Sequence, residues 1–145
     1  ISQSGVAGMA NTQLCLDTNT LIDYLKAREP GASAVERAVK EYDCCVTSIT
    51  VYELLFGVAR AKREIGEQAL LGVMTILPFD NAVAKRAATL HAELISQNQD
   101  IGIKDVFIAA TCLEQAIPIL TANEKHFSRV VGLEVISPAE IIAND

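Results

Sequence analysis

The sequence predicts an α/β fold built on a parallel sheet with helices on both faces, and three features carry that prediction. Short apolar runs alternate with longer segments of helical periodicity along the chain. The strand-like runs are continuously apolar, as strands covered on both faces are. No linker, internal repeat or low-complexity stretch breaks the alternation, so the 145 residues read as one domain. Residues 1–8 are small, polar and uncharged ahead of Met9, and read as a remnant before the natural start. The domain is then expected over residues 9–145.

The elements follow in order. Leu14-Cys15-Leu16 is a first buried strand, and Asp17 follows at its carboxyl end. Behind a Thr18-Asn19-Thr20 turn, Leu21, Ile22, Tyr24 and Leu25 fall at helical spacing. Glu29-Pro30-Gly31 breaks the pattern, and a second helix is expected from about Ala32 to Tyr42. Cys44 to Thr47 is a second strand. Val51, Leu54, Leu55 and Val58 then stand at i, i+3, i+4 and i+7, which predicts an amphipathic helix with Glu53 in its first turn. That helix ends in the basic group Arg60, Lys62 and Arg63. A further helix runs to about Met74, and Ile76 to Phe79 is a third strand.

Asp80 is a good N-cap for a long helix over residues 81–97, with Val83, Ala87, Leu90 and Leu94 as its apolar stripe. The segment Ile103 to Leu113 is apolar almost all round, the mark of a helix buried in the domain, with Asp105 near its start. Pro118 to Thr121 is a fourth strand, Ala122-Asn123-Glu124 a turn, and Leu133 to Ile136 a last strand. Ser137-Pro138-Ala139-Glu140 combines a capping box with Pro at the first helical position.

Composition narrows the function classes. Half the residues are hydrophobic, with mean hydropathy +0.28 and seven aromatics. That is oily for a small domain and points to an apolar surface kept for a partner. No run reaches the ~18 apolar residues of a membrane span, and no secretory signal is legible. Cys15, Cys44, Cys45 and Cys112 form no Cys-x-x-Cys pair, which argues against zinc and against a disulfide framework. A reduced, cytoplasmic protein is the plain reading. The net charge of −6 argues against loose, charge-driven binding of nucleic acid. It does not argue against an enzyme whose acids are neutralised by metal ions.

Each acid also has a structural explanation. Asp17 can cap the first helix, Glu53 completes a Thr50-x-x-Glu53 capping box, and Asp105 favours a helix macrodipole. Asn123 can be a turn residue. Three acids at one sheet edge are a different matter. Carboxylates ~5 Å apart repel by roughly 3 kcal/mol per pair at an effective dielectric of ~20. Such a cluster persists with a bound cation or a raised pKa. Oxygen ligands without His or Cys partners select Mg²⁺ or Mn²⁺. His91 lies on the apolar side of the long helix as a packed histidine, and His126 has no partner at ligand spacing. Arg60, Lys62 and Arg63 answer a helix dipole or steer a phosphate backbone. Lys125 and Arg129 make a second, weaker basic spot, and Asp23 is read as solvated.

Four segments together resemble the PIN-domain nucleases, and within them the VapC-type toxins. They are Leu16-Asp17-Thr18-Asn19, Tyr52 to Gly57, Ile101 to Thr111, and Thr121 to Phe127. The resemblance implies a three-layer α/β/α fold with a twisted parallel sheet of four or five strands. It implies Asp17, Glu53 and Asp105 as metal-binding acids, with Asn123 in the fourth site position, where the family often carries Asp. It implies a Mg²⁺- or Mn²⁺-dependent endoribonuclease that is the toxin of a toxin–antitoxin pair. The cognate antitoxin and a second copy of the chain would be its partners, and Leu54, Leu55, Val58 and Leu71 would supply apolar interface. Arg60, Lys62, Arg63 and Lys125 would bind RNA.

Other readings place the acids differently. A catalytically inactive PIN-like module would bind RNA or protein and keep the acids for structure. A haloacid-dehalogenase-type phosphotransferase would use Asp17, but Asn19 stands where its second acid belongs. A receiver domain would use Asp17, Asp80 and Lys125, leaving Glu53 and Asp105 unexplained.

Overall fold

The computed structural model describes residues 12–143; the expectations for residues 1–8 lie outside that range. Five parallel strands form one sheet: β1 Gln13–Leu16, β2 Asp43–Thr47, β3 Thr75–Leu77, β4 Ile119–Leu120 and β5 Val135–Ile136. Their order is β3-β2-β1-β4-β5. The chain therefore builds outward from β1 in one direction and then crosses back to add β4 on its other side. The resulting switch point lies between β1 and β4, where doubly wound sheets open a crevice beyond their carboxyl ends. Asp17 leaves β1 at this point, and its amide donates to the carbonyl of Leu120 on β4 at 2.9 Å.

Eight helices flank the sheet: α1 Thr18–Leu25, α2 Gly31–Glu41, α3 Ser48–Ala61, α4 Glu67–Leu71, α5 Asn81–Ser96, α6 Ile103–Gln115, α7 Glu124–Phe127 and α8 Pro138–Ala143. The strands bury side chains on both faces, as their continuous apolarity predicts. Cys15, Cys45 and Ile119 face a core shared with Val83, Ala87, Leu90 and Leu94 of α5, the buried residues of α6, and Phe127. Leu14, Leu16, Val46 and Leu120 face the opposite core with Leu21, Ala34, Val35, Ala38, Leu54 and Ile141. Successive residues of β1 alternate between the two cores. The sheet is a true middle layer.

Most local expectations hold. Asp80 accepts from the Val83 amide at 3.0 Å and caps α5. Ser137 and Glu140 exchange hydrogen bonds at 3.1 Å in a capping box. Three expectations change. Thr18-Asn19-Thr20 is already the first turn of α1, with Asp17 its N-cap. The N-cap of α3 is Thr47, whose hydroxyl accepts from the Thr50 amide at 3.3 Å, so no Thr50–Glu53 box forms and Glu53 lies in the second turn. Asn123 opens the one-turn helix α7. All four cysteines are free and buried. Burial pushes the Cys44 thiol up to about 12 and the Cys45 thiol up to about 11, which keeps both protonated and inert. Among the described residues no helix is long and apolar enough to cross a membrane.

Phe127 is wholly buried and anchors α7 to the α5–α6 core. Phe127→Ala is expected to cost ~3–5 kcal/mol in urea unfolding, the range for emptying a large core site. A loss under ~1 kcal/mol would show that this short helix is not fastened by the core.

Candidate active site

The carboxyl edge of β1, β2 and β4 gathers the acids through a continuous set of hydrogen bonds. Asp17 is 4% exposed, and its carboxylate accepts from the Thr18 amide at 2.8 Å and from the Thr121 hydroxyl at 2.7 Å. Capping and site geometry are therefore one arrangement. The Thr18 hydroxyl donates to Glu53 Oε1 at 2.7 Å and lies 2.9 Å from the Thr50 hydroxyl. Glu53, freed from any capping role by its place one turn into α3, reaches across to α1.

On the other side of Asp17, the Thr121 hydroxyl also accepts from the Asn123 amide at 2.9 Å. The Asn123 carboxamide Nδ2 stands 3.3 Å from Asp105 Oδ2, in the first turn of α6. Five segments of the chain thus meet at one point: the β1–α1 turn, α3, the first turn of α6, the end of β4, and α7. Hydrogen bonds through Thr18, Thr121 and Asn123 link Asp17, Glu53 and Asp105, the residues named by the resemblance, along this edge. Among the described residues, no three His, Cys, Asp or Glu side chains stand close enough to make a ready-formed metal cage.

Charge accumulates here with little to offset it. Burial pushes the Asp17 carboxyl up to about 6; the Thr121 and Thr18 hydrogen bonds pull it down, while the Asp105 and Glu53 charges push it up further. Lys104 Nζ lies 3.8 Å from Glu53 Oε2, on a side chain 59% exposed. A solvated pair of that kind contributes little. The donor set is hard oxygen, partly buried and net negative, which is the chemistry that takes Mg²⁺ or Mn²⁺. The residues fit such an ion.

Sequence reasoning missed four groups. Thr18 and Thr121 link the acids, but a hydroxyl beside a strand end carries no signal of its long-range partner. Lys104, next to Asp105 in sequence, pairs with Glu53 instead. His126 has no second histidine at ligand spacing, yet its Nδ1 lies 3.1 Å from Asp105 Oδ2. His91 is half-buried rather than packed, and bonds Asp100 Oδ1 at 3.0 Å. Arg129 donates to the backbone carbonyls of Gln99 and Asp100 and so braces the loop before α6. Arg63 lines a groove of about 590 Å³ that runs to Glu53, between Ile22 and Leu25 of α1 and Leu54 of α3. Arg60 and Lys62 stand exposed at the end of α3, and Lys125 is exposed on α7. Leu54, offered above as interface, is 4% exposed and belongs to the core.

The chain as a whole is similar to known proteins. A family model described as PIN domain matches residues 14–133. A relative named ribonuclease VapC, from Rickettsia bellii, is 33% identical over 132 residues, covering 86% of this chain and 95% of that protein. Another, a tRNA(fMet)-specific endonuclease VapC from Shigella flexneri, is 30% identical and covers 81% of this chain and 92% of its own length. A solved toxin–antitoxin complex from Klebsiella pneumoniae superposes with a TM-score of 0.71 at 25% identity, covering 86% of this chain and 97% of that one.

The raised Asp17 pKa fixes the sign of a stability effect. The folded chain holds this proton up to pH ~6, whereas the unfolded chain loses it near ~3.9. The contribution of Asp17 to stability is therefore greatest below ~4 and falls as pH rises through ~6, by about 3 kcal/mol at most. Asp17→Asn is expected to remove that loss. In urea unfolding without divalent metal it should be more stable than the wild type at pH 7, and nearly equal to it at pH 4. Equal stability at pH 7 would contradict the assignment of a buried, repelled charge to Asp17.

Proposed function

This chain belongs to the PIN-domain family, and we propose that it is a divalent-metal-dependent endoribonuclease acting as the toxin of a toxin–antitoxin pair. The observation that carries the reading is the joining of Asp17, Glu53 and Asp105 at the β1–β4 switch point by Thr18, Thr121 and Asn123. The names of the VapC relatives support ribonuclease activity, and the likeness to a toxin–antitoxin complex supports a protein partner.

Asp17, Glu53 and Asp105 would hold one or two Mg²⁺ or Mn²⁺ ions. When bound, such an ion supplies Lewis acidity that lowers the pKa of water and offsets charge on a phosphate undergoing in-line displacement. The remaining work belongs to the chain. The burial of Asp17 limits water around its carboxylate and would strengthen its attraction for a cation. The Asn123 carboxamide, tied to Thr121 through its backbone, can orient a phosphate oxygen or a water by hydrogen bonding. Arg63 on the groove, with Arg60, Lys62 and Lys125 nearby in sequence to the site elements, would bind the RNA backbone by charge.

An antitoxin would seat in the groove beside Glu53. An antitoxin segment filling the apolar wall of Ile22, Leu25 and Ile65 would lie across the approach to Glu53. Homodimer formation belongs to the same reading. Tyr52 and Phe56 of α3 stack at 5.7 Å while about half exposed, so that face offers apolar surface in place of Leu54. A reduced cytoplasm suits the four free cysteines.

Asp17→Ala and Asp105→Asn are each expected to lower RNA cleavage at least ~100-fold, as loss of a group acting on the transition state does, while circular dichroism stays native. Chelation by EDTA should abolish cleavage by the wild type, and added Mn²⁺ or Mg²⁺ should restore it. Cleavage that survives both substitutions would overturn the site. A native, RNA-binding protein without metal-dependent cleavage would instead support an inactive module whose acids serve structure.

A further inference from the structure

Thr50 is wholly buried on α3, one turn before Glu53. Among the described residues its hydroxyl has one polar partner, the Thr18 hydroxyl at 2.9 Å. Other helix threonines in this chain spend their hydroxyls on their own helix. Thr20 stands at the same third position of α1 and donates back to the carbonyl of its N-cap, Asp17, at 2.7 Å. Thr111 donates back to the Phe107 carbonyl at 2.8 Å. Thr50 instead turns away from α3 and meets α1.

Counting hydrogens gives that contact a direction. The Thr18 hydroxyl stands 2.7 Å from Glu53 Oε1 as well as 2.9 Å from Thr50, and a hydroxyl has a single hydrogen to give. A carboxylate oxygen can only accept, so the Thr18 hydrogen lies toward Glu53. The Thr50 hydroxyl is then the donor to Thr18. A one-way chain results, from Thr50 to Thr18 to Glu53, and both threonines are buried. Each bond in such a chain polarises the next, so a donor behind a donor strengthens it.

The chain decides which oxygen Glu53 can offer. Oε1 is taken from the α1 side by Thr18, whereas Oε2 faces the rim, where Lys104 lies. Resting on the metal-dependent reading above, we propose that Thr50 is a positioning residue for Glu53. Acting through Thr18, it fixes Oε1 and leaves Oε2 as the oxygen presented to the ion. Glutamate is a long, rotatable ligand, and a carboxylate oriented beforehand loses less freedom on binding. Thr50 and Glu53 thus keep the spacing of a capping box but meet at Thr18 rather than at the helix end.

The experiment measures Mn²⁺ binding to the full-length chain by titration calorimetry, without RNA or partner, alongside urea unfolding without metal. Valine keeps the shape of threonine and removes the hydroxyl; serine keeps the hydroxyl. Thr50→Val is expected to bind about 5-fold more weakly, the worth of one hydrogen bond, and Thr50→Ser should retain wild-type affinity. Thr18→Val should lose at least ~10-fold. Adding Thr50→Val to Thr18→Val should cost no further affinity, because the path runs through Thr18. Should Thr50→Val not fold, Thr50→Ala carries the same expectations. A Thr50 that serves structure alone would lower urea stability and leave the Mn²⁺ affinity of the folded chain unchanged, and that result overturns the proposal. Losses that simply add in the double variant overturn it too, and both outcomes leave the nuclease reading standing. Failure of the wild type to bind Mn²⁺ overturns both.

Discussion

A buried carboxylate at the end of the central strand sets the terms for the rest of the molecule. Asp17 cannot leave its place, because its backbone amide is held by β4 and its side chain caps α1. Nor is it comfortable there. Burial raises its pKa to about 6, and the charges of Glu53 and Asp105 add to the cost. A fold that keeps such a group at its topological switch point carries a local penalty that a stability argument alone does not explain. Strain of this kind is characteristic of sites that await a counter-charge.

The threonines show how the penalty is contained. Thr18 and Thr121 lie on either side of Asp17, and each is buried. Thr121 donates to Asp17 while accepting from Asn123, and Thr18 donates to Glu53. Neutral hydroxyls join the acids without cancelling them. A lysine or arginine in either place would quench the charge and shut the site to a metal. Lys104, which pairs with Glu53, is held at the rim, where water screens it. The site is thus rigid in position and open in charge. Asp17 and Glu53 stand on one side, Asn123 and His126 on the other, with Asp105 between them.

Much of this was legible in the residues, for reasons that differ by element. β1 and α5 could be read because periodicity and capping are local properties, as Leu14-Cys15-Leu16 and Asp80 with its Val83–Leu94 stripe show. The convergence of Asp17, Glu53 and Asp105 came from the resemblance of four motifs, since the strand order that brings them together is not written in any one of them. Glu53 illustrates the limit of local rules. Thr50-x-x-Glu53 has the spacing of a capping box, but Thr47 is the better-placed cap, and the displaced glutamate serves the site instead. Leu54 fits an amphipathic stripe equally well whether that stripe faces the core or a partner, and packing decides for the core. His126 was illegible because its partners, 21 residues away at Asp105 and three away at Asn123, matter only once α7 turns the ring toward α6.

The central claim is that the converged acids form an unfinished electrostatic arrangement completed by a divalent ion. The most direct measurement is the thermal melting of the RNA-free chain at pH 7.5, with and without Mn²⁺ or Mg²⁺ well above its dissociation constant. Selective binding to the folded state at a hundredfold excess is worth ~2.7 kcal/mol. The account predicts a rise of several degrees for the wild type, and no rise for a chain in which Asp17 and Asp105 are both Asn. Superimposable curves for the wild type with and without metal would contradict it.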